Sequence, residues 1–477
     1  MAFFSGSPLT GLATGTNQAD IFSGTLLVDL SQPLLTTMGA GIYKATLQAK
    51  AGNDVVKGIT TLDVPTAGSS GESSNFFSIS FQAYGMFSST LELGQGNNQV
   101  ILKAQAPVSP LYIVSGKGYG AFDSKIQGGN QEDLIDIYGF GSGVAQGEGY
   151  GISDSTIDAG NGKNTIQIEG SGRGVGFAGG SGYGAYQSNI QGGNQEDFIT
   201  IRGSGSGRSG NGYGLVASTI NLHNGQNTLL IESRGSGSAA TGGAATGYGV
   251  IDSTILGGNS KDDLTINGIA GAGGYYGSSA SAYAAVNATI DVGGGDDTIK
   301  LIGSASVSGS ASASSAQAVG ASSSTIDGGK GNDSITVQGI ANGFGNINQS
   351  VYGVRDSIIW GGDGNDTITV SGINVATPNN TFNANTWDIK DSLINGGQGN
   401  DTINVGRGSG IVDGNQGEDV LIINYSLGGL SVTSSGNQIQ IISNNLPEQW
   451  VQTIVGIESF LVNGTSYTAA NFVQTFA

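Results

Sequence analysis

A sixteen-residue unit that returns about every thirty-four residues constrains this chain more than any other feature. Each copy opens on a Ser-Thr-Ile-like triplet, passes through a glycine-rich turn and leaves as a short alternating stretch. Examples are SKIQGGNQEDLIDIYG from Ser124, STIDAGNGKNTIQIEG from Ser155, SNIQGGNQEDFITIRG from Ser188, STIDGGKGNDSITVQG from Ser324 and SIIWGGDGNDTITVSG from Ser357. The third position is aliphatic throughout, as at Ile126, Ile157, Ile190, Ile326 and Ile359, and must face inward. Nine and eleven residues later two further aliphatic columns alternate with polar residues, the period-two signature of a half-buried strand.

Stacking these units satisfies each strand's backbone groups with the neighbouring coil, which no single coil achieves alone. The expected fold is therefore all-β: a parallel β-solenoid, β-roll-like, of about twelve stacked Gly-rich coils with a small C-terminal β cap and a length on the order of 55 Å. Residues 1–44 lack the unit and are expected to form an N-terminal cap. Residues 45–424 form the repeat domain, and residues 425–477 form the C-terminal cap. Between units the chain reads as GSGRGVGFAGGSGYG or GSASVSGSASASSAQAVG, small residues that let two sheets approach closely; a disordered loop is the competing reading.

Composition narrows the function. The chain has 17 Lys and Arg against 36 Asp and Glu, a formal charge of -19, which repels nucleic acid and anionic lipid and favours cations. There is no cysteine, so neither disulfides nor thiolate metal sites contribute. No run has the apolar length needed for membrane insertion, and Met1 to Leu12 does not read as a cleaved signal peptide, so export would need another signal.

Three turns carry a more specific pattern: GGKGNDSI from Gly328, GGDGNDTI from Gly361 and GGQGNDTI from Gly396. They resemble the G-G-x-G-x-D-x-U-x nonapeptide of the repeats-in-toxin (RTX, haemolysin-type) calcium-binding proteins, U being a large aliphatic residue. The resemblance implies bound Ca2+, held by carbonyls of the glycine turns (Gly329, Gly331, Gly362, Gly364, Gly397 and Gly399) and by Asp333, Asp366 and Asp401. Asp297 and Asp419 share the column in DVGGGDDTI and DGNQGEDVL and extend the expected metal stack.

Two departures from that family matter. Its coils are about eighteen residues with a turn on each edge; most coils here are nearly twice as long and offer one matching turn. Toward the N-terminus the column also runs Asp54, Asn98, Asp133, Asn164, Asp197, Asn227, Asp262. Asn supplies no carboxylate, so this half is expected to stack as a hydrogen-bonded ladder without metal, and calcium belongs in the C-terminal half. The stretch GIESFLVNGTSY from Gly456 resembles the end regions of these proteins, which implies the type I secretion machinery as a partner; a capping sheet is the simpler reading.

An aromatic residue sits five positions before almost every unit: Tyr84, Tyr119, Tyr150, Tyr183, Tyr213, Tyr248, Tyr283, Tyr352 and Trp387, with Val319 the exception. Either the rings stack in or along the solenoid, or they form an exposed stripe that meets a polysaccharide or another protomer, with Tyr119 to Tyr248 as the candidate contacts. No catalytic constellation is visible. His223, the only histidine, replaces a turn glycine, and the carboxylates form one ladder rather than an isolated pair. The threonine column Thr156, Thr219, Thr254, Thr289 and Thr325 is interrupted and needs only β-propensity to explain it.

These features lead to the expectation of an extracellular or cell-surface structural protein, not an enzyme, that self-assembles as a homo-oligomer, fibre, sheath or surface layer. A matrix adhesin that binds polysaccharide is the alternative, with a polysaccharide-acting enzyme last.

Overall fold

The computed structural model describes residues 3–6, 8–29, 36–63, 78–106, 113–238, 242–274, 277–308, 314–344, 347–376, 384–443 and 449–477. It is a parallel β-solenoid of about eleven turns, closed at the C-terminus by antiparallel strands and one short helix. Among the described residues two sheets run along it, one of 16 strands and one of 25.

One coil explains the rest. The short strand Thr156–Asp158 leads through the glycine turn into the long strand Thr165–Gly174; the chain then reverses into Gly179–Tyr186, turns a corner and begins the next short strand, Asn189–Gln191. Every strand pairs in register with its counterpart one coil on: Ile157 with Ile190, Ile166 with Ile199, Tyr150 with Tyr183. Ile326 and Ile359 are likewise direct neighbours.

Each coil has a wide and a narrow half. In the wide half Ile157, Ile166 and Ile168 belong to one continuous hydrophobic core, mostly aliphatic, that runs from Leu9 to Phe472. In the narrow half the two sheets almost touch. A Cβ built on Gly170 would overlap the Tyr183 carbonyl, and one on Gly203 the Tyr213 carbonyl, so side chains larger than hydrogen have no room there. Further along the axis this half opens slightly and is filled by Ala270, Ala282, Ala305, Ala318 and Val351, a second and separate core. The small-residue stretches are thus strands joined by short turns wherever the structure describes them, which excludes the disordered-loop reading for those residues.

The corner between Gly179–Tyr186 and Asn189–Gln191 is built by a residue pair that recurs in most coils, Ala45, Ala288 and Gly410 standing in place of the serine in three. The residue before the unit adopts a left-handed conformation, as at Asp123 (φ 47), Asp154 (φ 50), Gln187 (φ 47) and Asp252 (φ 50). The serine that follows is buried, and its hydroxyl accepts the backbone N–H of the preceding coil's serine: Ser124 N to Ser155 Oγ at 3.1 Å, Ser155 N to Ser188 Oγ at 3.2 Å, Ser188 N to Ser218 Oγ at 2.9 Å. The same hydroxyl donates to the carbonyl two residues back, 2.7 Å from Ser155 Oγ to Ser153 O.

The N-terminal stretch 1–44, expected to cap the solenoid from outside the repeat, contributes strands to both sheets. Phe3–Gly6 pairs with Ile21–Asp29, which pairs with Val55–Asp63, and Leu9–Thr14 pairs with Thr36–Gln48, all parallel. Asp20 stands in the turn column, its N–H donating to Asp54 Oδ1 at 2.6 Å. Its turn, GTNQAD, lacks the glycine pair that marks the later copies. At the other end Trp450–Val455 and Ser459–Val462 still pair in parallel with the last coils, and only then do the antiparallel partners Gln438–Ser443 and Thr465–Thr468 close the edges. The helix Ala469–Phe476, capped by Thr468, lays buried Phe472 on Phe460 with ring centroids 4.2 Å apart.

Candidate functional site

The turn column is a continuous buried ladder. From Asp54 to Asp419 each Asp or Asn side chain accepts, through Oδ1, the backbone N–H of its counterpart one coil earlier, the first of these donors being Asp20. Representative distances are 3.0 Å for Asp133 N to Asn164, 2.9 Å for Asn164 N to Asp197, 2.7 Å for Asp333 N to Asp366 and 2.8 Å for Asp401 N to Asp419. Glu458 ends the row, accepting from Asp419 N at 2.8 Å. In the sequence Glu458 lies within the terminal motif, 39 residues from Asp419, a separation that hides this role.

The second side-chain atom separates the two halves. In the N-terminal half the protein satisfies it: Asp133 Oδ2 accepts from Gly129 N at 3.1 Å, Asp197 Oδ2 from Gly193 N at 2.6 Å and Asp262 Oδ2 from Gly258 N at 3.3 Å. The Asn members donate to turn carbonyls, Asn98 to Gly96 O at 2.8 Å and Asn164 to Gly162 O at 2.7 Å. In the C-terminal half Oδ2 of Asp297, Asp333, Asp366, Asp401 and Asp419 is buried and has no hydrogen-bond partner.

Among the Asp turns the difference lies in the backbone of the second turn residue, since the Asn turns of the N-terminal half share the left-handed conformation at Gly94, Gly160 and His223. Gly293, Gly329, Gly362 and Gly397 take left-handed φ values of 85°, 88°, 117° and 112°, and Asn415 one of 74°. At Gly293 and Gly329 the N–H turns away from the column to the strand carboxylates Asp291 and Asp327, 3.1 Å away in each case. Gly331, Gly364 and Gly399, also left-handed at 127°, 145° and 127°, complete these turns. Each glycine named from the motif therefore occupies a conformation that favours glycine.

Five orphaned carboxylate oxygens, one per coil, are an unusual buried arrangement, since a buried charge without a partner is costly. Burial pushes the carboxyls of Asp297 and Asp333 up to about 7, with neighbouring carboxylates adding to the rise, and those of Asp366 and Asp419 up to about 6; Asp401 is also raised by burial. Oxygen converges here from the backbone too. A Cβ on Gly328 would stand 2.7 Å from Asp333 Oδ2, beside the Gly361 carbonyl of the next coil, and the same pairing repeats at Gly361 with Asp366 and Gly396. Among the described residues no three acidic or histidine side chains meet at one point. The donor set for a cation here is accordingly one carboxylate per turn with backbone carbonyls, a hard-oxygen set.

Asp54 is the exception in the N-terminal half, its Oδ2 also buried and unpartnered and its carboxyl pushed up to about 6 by burial. An amide at that position gains the donor that Asn98 uses toward Gly96 O. Asp54→Asn is expected to raise stability at neutral pH by about 1 kcal/mol, read as a higher denaturant midpoint with unchanged slope; a lower midpoint would show that the charge is used.

The tyrosine column lies on the outward face of the 25-stranded sheet, on the same side as Lys117 and Glu148, which pair at 2.6 Å. Tyr119, Tyr150, Tyr183, Tyr213 and Tyr248 are half-buried and stacked, with successive centroids 4.7, 4.6, 4.6 and 5.7 Å apart and planes within 8° of parallel. Tyr84 and Tyr283 extend the stack at either end. Each interior ring has both faces covered by its neighbours, so only edges and hydroxyls are turned outward. Burial raises the phenols of all seven. His223 lies in its turn with φ 58°, a left-handed position its glycine-like place foretold.

No protein-family model matches the chain, and no curated protein matches it in sequence.

Proposed function

We propose that this chain is a secreted structural rod whose C-terminal turns bind calcium and which assembles outside the cell into a fibre, sheath or surface layer. The observation that carries this reading is the row of buried, unpartnered Oδ2 atoms at Asp297, Asp333, Asp366, Asp401 and Asp419. Asp333, Asp366 and Asp401 fall where the sequence resembles the repeats-in-toxin nonapeptide, Asp297 and Asp419 share their column, and one divalent cation per turn would relieve the burial of several like charges at once. Asp333, Asp366 and Asp401, with carbonyls of the adjoining glycine turns, would hold the ions; calcium supplies charge neutralisation and no chemistry. The GIESFLVNGTSY stretch supports export by a type I system and serves the capping sheet as well.

The structural role is supported by uniformity. The sheets and the turn column repeat along the described rod, the serine corner recurs in most coils, and the tyrosines stack on one another instead of offering open ring faces, which favours mechanical continuity over sugar stacking on the rings. Electron microscopy of purified protein with millimolar calcium is expected to show ordered fibres or sheets that disperse in chelator. Monodisperse rods under both conditions would contradict assembly.

A pH dependence follows in chelator. The native carboxyls of Asp297 and Asp333 titrate near about 7 against 3.8 for the ordinary group, so between these values the folded state holds protons that the unfolded state has released. Their contribution is present below pH 3.8 and lost as pH rises through about 7. Melting temperature in chelator should therefore fall across that window, and added calcium should flatten the fall.

A further inference from the structure

The N-terminal turns, which the calcium reading leaves aside, enclose a trough of about 660 Å³ that runs along the axis across five coils, from Glu92 to His223. Its floor is the backbone of the glycine turns, with Gly94, Gly128, Gly129, Gly160, Gly192 and Gly193 among the residues that line it. One wall is the outward column of the short strands, in which Glu92, Gln127 and Asp158 stand in register. The other is a row of exposed turn asparagines, Asn130, Asn161 and Asn194, with Asn224 one coil beyond.

The asparagine row is linked by its own amides. Asn161 Nδ2 donates to Asn130 Oδ1 at 3.2 Å, Asn194 Nδ2 to Asn161 Oδ1 at 2.9 Å and Asn224 Nδ2 to Asn194 Oδ1 at 3.3 Å. Each link uses one N–H and one lone pair. An amide has two of each, so Asn161 and Asn194 keep one donor and one acceptor apiece, held in fixed orientation once per coil.

That chemistry selects a ligand. Repeated donor-and-acceptor pairs match hydroxyl groups, which both donate and accept. Coils rise by about 4.8 Å, close to the length of one sugar residue in an extended β-linked glycan, so a linear chain along the trough meets an equivalent amide at each sugar. No lining residue is Lys or Arg, while Glu92 and Asp158 line the trough, which disfavours an acidic polymer. A peptide strand would need free backbone groups, but those of the floor are spent between coils, as in Gly128 N to Asp158 O at 2.7 Å and Gly192 N to Asn221 O at 2.9 Å.

We infer that this trough binds a neutral, extended, β-linked polysaccharide along the rod axis through Asn130, Asn161 and Asn194. The site is separate from both the calcium column and the tyrosine stack. A structural rod of this kind would tie a surface layer to the glycan around it.

Isothermal titration of the full chain with cellohexaose tests the assignment, with hexagalacturonate of equal length as the acidic comparator. Wild type is expected to bind cellohexaose and to bind hexagalacturonate at least about tenfold more weakly. Asn161→Leu with Asn194→Leu should weaken cellohexaose binding at least about tenfold, two hydrogen-bonding positions being lost. The Asn161→Ser, Asn194→Ser pair serves if the leucines disturb the turns, and Tyr183→Leu should leave binding unchanged. Absence of cellohexaose binding by wild type, preference for the acidic chain, undiminished binding by folded asparagine variants, or loss in Tyr183→Leu would each overturn the inference.

Discussion

Chelation is expected to melt the coils from Ala288 onward at a lower temperature while those between Ala45 and Asp262 stay ordered. In a stacked repeat protein each coil is stabilised by its own contacts and those with its two neighbours, so a local loss need not spread through the whole rod. The N-terminal column, Asp54 apart, satisfies its side-chain atoms within the protein, as at Asp133, Asp197 and Asp262, and these turns have nothing to lose when metal is removed. In the C-terminal column five Oδ2 atoms have no partner within the protein and would lose together the counter-charge proposed for them. At a hundredfold excess over its dissociation constant each ion contributes about 2.7 kcal/mol, so even two or three sites exceed typical mutational effects. Hydrogen exchange followed by segment should show faster exchange in chelator across Ser324 to Ile423 and little change across Ser124 to Ile231. Asp366→Ala should reproduce part of this with calcium present, because it removes one carboxylate and also the acceptor of Asp333 N. A single transition unaffected by chelator would reject metal binding at these turns.

Gly170→Val should be the most damaging single change in the narrow half. Its Cβ would collide with the Tyr183 carbonyl and lie 2.7 Å from the Gly149 carbonyl, so the obstruction is backbone on both sides and no rotamer relieves it. The sheets would have to separate over several coils, breaking contacts of Gly172 and Gly182 as well. A loss on the order of 4 kcal/mol or more is expected, seen as a fall in denaturant midpoint or as failure to fold. Ser171→Ala, on the outward side of the same strand, should cost within about 0.5 kcal/mol. Comparable stability of the two variants would mean that the sheets do not approach as closely as described.

The repeat made the coil legible from residues alone. Ile126, Ile157 and Ile190 recur at one position, and only a parallel stack places such residues together while pairing every backbone group. Columns without an apolar signal were harder to read. Ser124, Ser155 and Ser188 were plain in every unit, yet their part in the corner depends on a left-handed residue before them, visible only as dihedral angles. The first coil was missed because GTNQAD has the column aspartate without the glycines that announced the others. Glu458 was missed because it reaches the column from 39 residues away.

What the sequence determined by itself was periodicity: which residues lie over one another, how small the narrow half must be, and which turns carry a carboxylate. What only the tertiary structure decided was the state of individual atoms. Whether Oδ2 of an aspartate is satisfied depends on where one glycine N–H points, and whether a tyrosine presents a face or an edge depends on the ring in the next coil. Hydrophobic columns are local and repetitive and so survive in a one-dimensional pattern. Hydrogen bonding and ring exposure are set by distances of a few ångströms between residues some thirty-four positions apart, which the order of residues does not state.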